Sequence, residues 1–287
     1  MRLTRLFVQR VLGFLWLCDG LLQLKPAMFT AQFLSQVILP MAQSQPGWIA
    51  RSVQWGAHLV EPRLALWNAF FAAVQIAIGA LLLANVRVKW ALWASFAWSV
   101  CVWWFGEGLG QLWTGSALLL TGAPGSALLY ACVGAAVYPR RAEDAAISSR
   151  GRNFARWSLV CVWMAGALLQ LQPAYLEPGG LAQAVPFFGP IRLVGMHGPQ
   201  FSILLCVVQA LLGIAFLAGA AYPFSVPASI ALSALFWWWG QSFGQIFAPT
   251  ATDFNSGPLV ILLSLCAWRA DGAPIRSILA RRREARE

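Results

Sequence analysis

Two carboxylic acids interrupt long apolar runs in this chain. Asp19 stands within Leu15-Trp16-Leu17-Cys18-Asp19-Gly20-Leu21-Leu22, and Glu107 within Trp103-Trp104-Phe105-Gly106-Glu107-Gly108-Leu109-Gly110-Gln111. Charge is costly to bury, so a carboxyl group in such surroundings either stays protonated or finds a cation or a hydrogen-bond donor, such as a His or Arg from a nearby loop. Acids of this kind inside membrane helices are functional candidates, and the chemistry open to them is the holding and passing of protons. Gln23 follows Asp19 and Gln111 follows Glu107 by four residues each, one helical turn along the same face.

The other reactive side chains offer less. His58 and His197 each fall late in the long outer loop of their half. They could bind haem or a metal or relay protons, although a loop histidine is more often a plain polar contact, and no metal site is predicted. The six cysteines, Cys18, Cys101, Cys132, Cys161, Cys206 and Cys266, lie singly in apolar surroundings with no C-x-x-C pair, which weighs against a dithiol oxidoreductase. There is no phosphate loop, no G-x-S-x-G elbow and no H-E-x-x-H helix. No residue is assigned a catalytic role.

Composition says where these groups must sit. The chain has 287 residues, 59% of them hydrophobic and 10% charged, with mean hydropathy +0.65; soluble domains carry about 25% charge. An all-α polytopic membrane protein is expected. The net charge of +10 comes from basic residues in short segments between apolar runs, so nucleic acid is not an expected partner and the lipid bilayer is.

The Trp-Gly stretch returns as Trp237-Trp238-Trp239-Gly240-Gln241-Ser242-Phe243-Gly244-Gln245, 134 residues on (240 minus 106), with Gln241 in place of Glu107. The first apolar run returns as Val162-Trp163-Met164-Ala165-Gly166-Ala167-Leu168-Leu169-Gln170-Leu171-Gln172-Pro173, 147 residues on (163 minus 16), with Gly166 in place of Asp19. Gln75/Gln209, Gly79/Gly213, Pro124/Pro258 and Cys132/Cys266 keep the offset of 134. These echoes predict a tandem duplication in which the glutamines are repeated and the acids remain only in the first half. Gln75 and Gln209 read as glue between helices, worth about 0.6 kcal/mol. Glu107 reads equally as a solvated residue in a Trp belt. The candidate ligand or proton site is Asp19, Gln23, Glu107, Gln111, Gln170, Gln241 and Gln245, with His58 and His197 behind them.

Each half reads as four helices, at about 8–25, 63–84, 90–112 and 123–138, then 155–172, 200–221, 228–247 and 257–269, most of them near the roughly 20 residues that cross a bilayer. The predicted units are a first repeat (1–139), a linker (140–156), a second repeat (157–270) and a basic tail (271–287). Of the 20 Lys and Arg, four (Lys25, Arg51, Arg63 and Arg192) fall on one predicted side and the remaining 16 on the other. The richer side is the cytoplasmic one, so both termini and the linker are placed there. An even helix number makes the halves enter in the same sense, a parallel repeat. Asp19 lies nine residues past Arg10, about 14 Å along a helix and near mid-bilayer, whereas Glu107, 17 residues past Trp90, is about 26 Å along and near the outer boundary. The basic start resembles a signal peptide, but Leu24-Lys25-Pro26-Ala27 offers no small-x-small site, so a retained helix is expected. The outer segments 26–62 and 173–199 are long and still apolar, which predicts that they fold over a site or lie at the interface. Gly106-x-x-x-Gly110 predicts a close helix contact.

Gly20-Leu21-Leu22-Gln23-Leu24-Lys25-Pro26 and Gly166-Ala167-Leu168-Leu169-Gln170-Leu171-Gln172-Pro173 give each half a resemblance to the DoxX-like family and its MauE-like relatives, four-helix bacterial membrane proteins. That resemblance implies a bacterial inner-membrane location and a role in quinone-coupled oxidation or as membrane partner of a redox enzyme. The cofactor is left open between a quinone and, with less support, haem. The alternatives are a proton-coupled carrier of a small solute, with Asp19 as coupling site, and a structural subunit without chemistry of its own.

Overall fold

In the computed structural model, residues 4–139, 146–185, 197–219 and 222–268 are described. Phe187, Phe188 and Arg192 in the second outer segment, Arg140 and Arg141 in the linker, and the basic tail from residue 269 lie outside the described residues, and so does the part of the charge count that rests on them. The described residues are all-α, without strands. Two helical stretches are long and apolar enough to cross a membrane by length and composition: Gly47–Leu83, with mean hydropathy 1.9, and Gly198–Ala218, with 2.5. Only 28% and 33% of those windows are buried, so most of their apolar side chains face outward instead of into a core.

The first helix, α1 (Arg5–Leu22), starts three residues ahead of the expected position, because the Thr4 hydroxyl accepts the Phe7 N–H at 3.1 Å and caps it. The segment expected to be a loop contains α2 (Gly47–Val60), which buries Ile49, Val53 and Ala57 at intervals of four and exposes Trp48, Trp55 and Leu59. That is an amphipathic stripe. Next come α3 (Leu64–Leu83), α4 (Val88–Cys101) and α5 (Ser126–Ala136), then α6 (Ser149–Leu169). Two short turns follow, α7 (Pro173–Leu176) and α8 (Gly180–Ala184), before α9 (Gly198–Ala218), α10 (Tyr222–Trp239) and α11 (Ser256–Ala267).

The expected close approach is present at Gly110, against the backbone of Pro124, but it is not a contact between helices. After α4 the backbone widens into a π turn (Val102–Gly106), and then Gly108, Leu109, Gly110 and Gln111 all take positive φ, so the helix ends well before residue 112. Gly110 is a reversal point against Pro124, not a helix face. The tight helix contact lies between α1 and α3. A Cβ on Gly79 would sit 2.6 Å from Leu17 N and 2.7 Å from Gly13 O, and one on Gly20 would sit 2.9 Å from Ile76 N. Small residues let these two backbones touch. In the other half α6 runs along α9, and a Cβ on Gly213 would meet the thioether of Met164 at 2.7 Å and the Met164 backbone N at the looser distance of 3.3 Å.

Residues related by the two offsets make related contacts. Trp16 Nε1 donates to Ser95 Oγ at 2.9 Å, and Trp163 Nε1 to Ser229 Oγ at 3.0 Å. The first turns of α5 and α11, however, match Ser126 to Ser256, a spacing of 130 (256 minus 126), four short of that shared by Pro124 and Pro258. Four residues are about one helical turn, so the faces are kept.

Each half also reaches into the other. Lys25 Nζ donates to Ile246 O and Ala248 O, both at 2.6 Å. Its counterpart Gln172 donates through Nε2 to Ala117 O at 2.6 Å, and the Tyr175 hydroxyl donates to Ser116 O. Burial raises the Tyr175 phenol above its ordinary pKa, so it remains a donor. The main core accordingly draws side chains from both halves, among them Leu12, Leu120, Val133, Trp163 and Leu263.

Candidate functional site

Asp19 is 3% exposed on the inner face of α1. Its Oδ2 accepts the Tyr130 hydroxyl from α5 at 2.5 Å, while Oδ1 is buried without a partner. Of the partners expected for Asp19, a cation or a donor such as His or Arg from an outer loop, the structure supplies a donor, but as a phenol from α5 of the same half. Tyr130 is held in turn by Trp16, whose ring centre lies 4.1 Å from its own. One turn on, Gln23 Nε2 donates to Asn68 Oδ1 and Asn68 Nδ2 returns a bond to Gln23 O at 2.9 Å, a reciprocal link between α1 and α3.

Trp16, Asp19, Gln23 and Tyr130 line a chamber of about 350 Å³. Trp16, Trp67, Phe71, Trp98 and Tyr130 present aromatic rings to it, and Phe33, Val37 and Ile38 close one side. The roof is α2, pinned by Trp104 Nε1 donating to Ser52 Oγ at 2.9 Å and by Gly56 seated on Phe105. Trp55, Leu59 and Phe70 both line the chamber and are about half exposed or more, so its mouth opens sideways between α2 and α3. Segment 26–62 contributes one side and the roof of this chamber.

Glu107 stands at the far wall in a double role. Its Oε1 accepts Ser126 Oγ at 2.6 Å and Ala127 N at 3.0 Å, capping α5, while Oε2 is buried without a partner beside Gly125, where the positive φ and lack of Cβ leave it room. Gln241 does the same work for α11: Oε1 accepts Gly257 N at 3.0 Å, and Nε2 donates to Ser256 Oγ at 2.9 Å and Leu119 O at 3.3 Å. An amide satisfies both ends of the cap, and a carboxylate cannot donate. Glu107→Gln should therefore leave the thermal midpoint nearly unchanged, within about 0.5 kcal/mol. Glu107→Ala should cost about 0.5–2 kcal/mol through the lost cap; equal midpoints in a thermal melt of the two variants would refute the capping role.

The third acid in the chamber was missed. Asp253, from the segment after α10, lines it together with Thr252, which corrects the expectation that only the first half contributes acids. Asp253 accepts Asn255 N at 2.5 Å and Thr252 Oγ1 at 2.9 Å, and it arrives because its segment crosses into the first half. The crossing in the other direction has the opposite effect. Leu119 and Leu120 enter the second half, where a Cβ on Gly166 would lie 2.8 Å from Leu119 Cδ2 and would also strike Gln209 Oε1. An apolar plug fills the space that in the first half is lined by acids.

Of the other expected site residues, Gln111 ties the reversal after α4 to the first outer segment, donating to Met41 O at 2.9 Å, and does not line the chamber. Gln170 is fully buried in the second half with neither amide atom paired. Gln245 is exposed beside Phe243 and Phe247 in a shallow surface recess. His58 is exposed on α2 with Glu61 3.5 Å away, and His197 is exposed before α9. Neither histidine reaches the chamber. Gln75, read as glue, lines it with Oε1 unpaired.

Fold and site together define, among the described residues, an all-α protein with a side-opening aromatic chamber lined by carboxyl groups. No family model, curated protein or solved structure matches the chain.

Proposed function

We propose that this chain is a multipass membrane protein whose chamber binds a small, apolar-bodied molecule and exchanges protons with it through Asp19 and Glu107. The observation that carries this reading is Asp19 Oδ1, an unpaired carboxyl oxygen on the wall of a space of about 350 Å³. A fold keeps an orphaned acid in an apolar room at a cost to its stability, and binding is what offsets that cost.

In this reading eight helices cross an inner membrane as two parallel four-helix halves, with both termini and the linker on the cytoplasmic side and the chamber toward the outer face. The outward apolar side chains of the two long helices and the uneven spread of Lys and Arg support it. The exposed tryptophans of α2 suit a helix lying in the membrane interface. A mouth between α2 and α3 would then admit molecules from the bilayer. The DoxX-like resemblance favours a quinol, which brings two hydroxyl protons to unpaired acceptors and would pass its electrons to a redox partner. Carriage of a solute is favoured by one observation, the arrival of Asp253 from the other half, since movement between halves would remake the chamber.

Mass spectrometry of small molecules retained by protein purified from native membranes tests the binding function. A stoichiometric apolar-bodied compound, displaced when Ala57 on the chamber wall is changed to Trp, is the expected result. An empty protein whose melting is unmoved by any added quinol or amine would refute it.

A further inference from the structure

The chamber's wall selects among apolar-bodied molecules, and the geometry points to a protonated organic amine as its occupant. This inference rests on the chamber being a binding site, as proposed above.

The first ground is the sign of the wall. Asp19, Glu107 and Asp253 line one space, and among the described residues no Lys, Arg or His lines it. The second is the direction of the missing hydrogen bonds. Asp19 Oδ1, Glu107 Oε2 and Gln75 Oε1 are buried acceptors without donors, and the one buried donor left unpaired on the wall is Trp98 Nε1. A quinone brings acceptors to acceptors and a quinol brings two uncharged donors whose oxygens also accept, whereas an ammonium brings three donors, a positive charge and no acceptor. The third is the ring faces. Trp16, Trp98 and Tyr130 border the same space as Asp19, and aromatic faces attract a desolvated cation that an aliphatic wall would not hold.

A bare metal ion is a poorer fit, because among the described residues no three His, Cys, Asp or Glu side chains are grouped to hold one. Phe33, Phe71 and Val37 leave the ligand's other end an apolar bed, so the occupant is a cationic head on an aromatic or branched body. The second half serves as the internal contrast. There Gly166 and Gln241 replace the two acids, and Leu119 fills the space against Gly166.

Three probes of one shape separate the terms: 2-phenylethylammonium, its uncharged donor analogue 2-phenylethanol, and its carbon isostere propylbenzene. Each is titrated at neutral pH into the full chain in zwitterionic phosphatidylcholine nanodiscs and followed by tryptophan fluorescence and calorimetry. The ammonium is expected to bind at least about tenfold more tightly than either neutral probe. Glu107→Gln and Asp253→Asn should each cut that preference several-fold while leaving propylbenzene unaffected, with a thermal melt checking that both variants fold. If the alcohol or the hydrocarbon binds as tightly as the ammonium, charge selection is wrong and the chamber stands. If no probe binds and wild-type protein carries no retained molecule, the binding function itself fails.

Discussion

Asp19→Asn should give a protein that melts higher and binds worse. Asparagine keeps an acceptor for the Tyr130 hydroxyl, which at 2.5 Å is the one hydrogen-bond partner of the Asp19 carboxyl group among the described residues, and it removes the burial cost of a carboxyl group. The expected gain is about 1 kcal/mol, or a rise of roughly 2–4 °C for a chain of this size. Affinity for 2-phenylethylammonium should fall at least about tenfold, because the unpaired oxygen it would occupy has become one end of a neutral amide. Asp19→Ala separates the two contributions. It leaves the Tyr130 hydroxyl without an acceptor among buried side chains, and an abandoned buried group costs about 1–3 kcal/mol. Thermal melts and titrations on the same three preparations measure both quantities. A lowered midpoint in Asp19→Asn would show that the acid holds the fold together, and its role toward a ligand would have to be given up.

The largest loss of stability is expected at Gly79. Its absent side chain is what allows α1 and α3 to touch, with Leu17 N and Gly13 O inside the radius of any Cβ. Backbone atoms cannot swing away, so Gly79→Ala should cost about 1–3 kcal/mol, and Gly79→Leu should part the helices and scatter Asp19 and Trp16 from Gln75 and Phe71. Gly213 occupies the matching place, yet its nearest obstacle is the flexible, partly exposed thioether of Met164, and the nearest backbone atom, Met164 N, stands off at 3.3 Å. Gly213→Ala should therefore cost well under half as much. Denaturant titration of the two alanine variants checks the asymmetry. Equal losses would mean that close backbone approach is not what ties α1 to α3.

Much of this was legible beforehand, and for identifiable reasons. The longer helices fall near their expected places because apolar runs of 14 or more residues bounded by Pro, Gly or basic residues leave few other structures open. Asp19, Gln23 and Glu107 were recoverable as well, since an acid or amide amid apolar residues is conspicuous. What escaped depends on geometry that no period announces. Leu109 and Gln111 take a left-handed backbone that non-glycine residues rarely adopt, so a helix was expected to run on where it stops. Tyr130 looks like any core aromatic until Asp19 is found against it. Gly47–Val60 was hidden by the prolines at both ends. Asp253 could not be placed, because the segment bearing it serves the half to which it does not belong.

That exchange of segments has a further meaning. Lys25 grips one strap of the chain and Gln172 the other, so the two bundles close on each other like the halves of a clasp. The chamber wall cannot be complete while the nascent protein has only its first bundle in place, since Asp253 has yet to emerge. A lone bundle of this design would have to borrow that carboxylate from a twin.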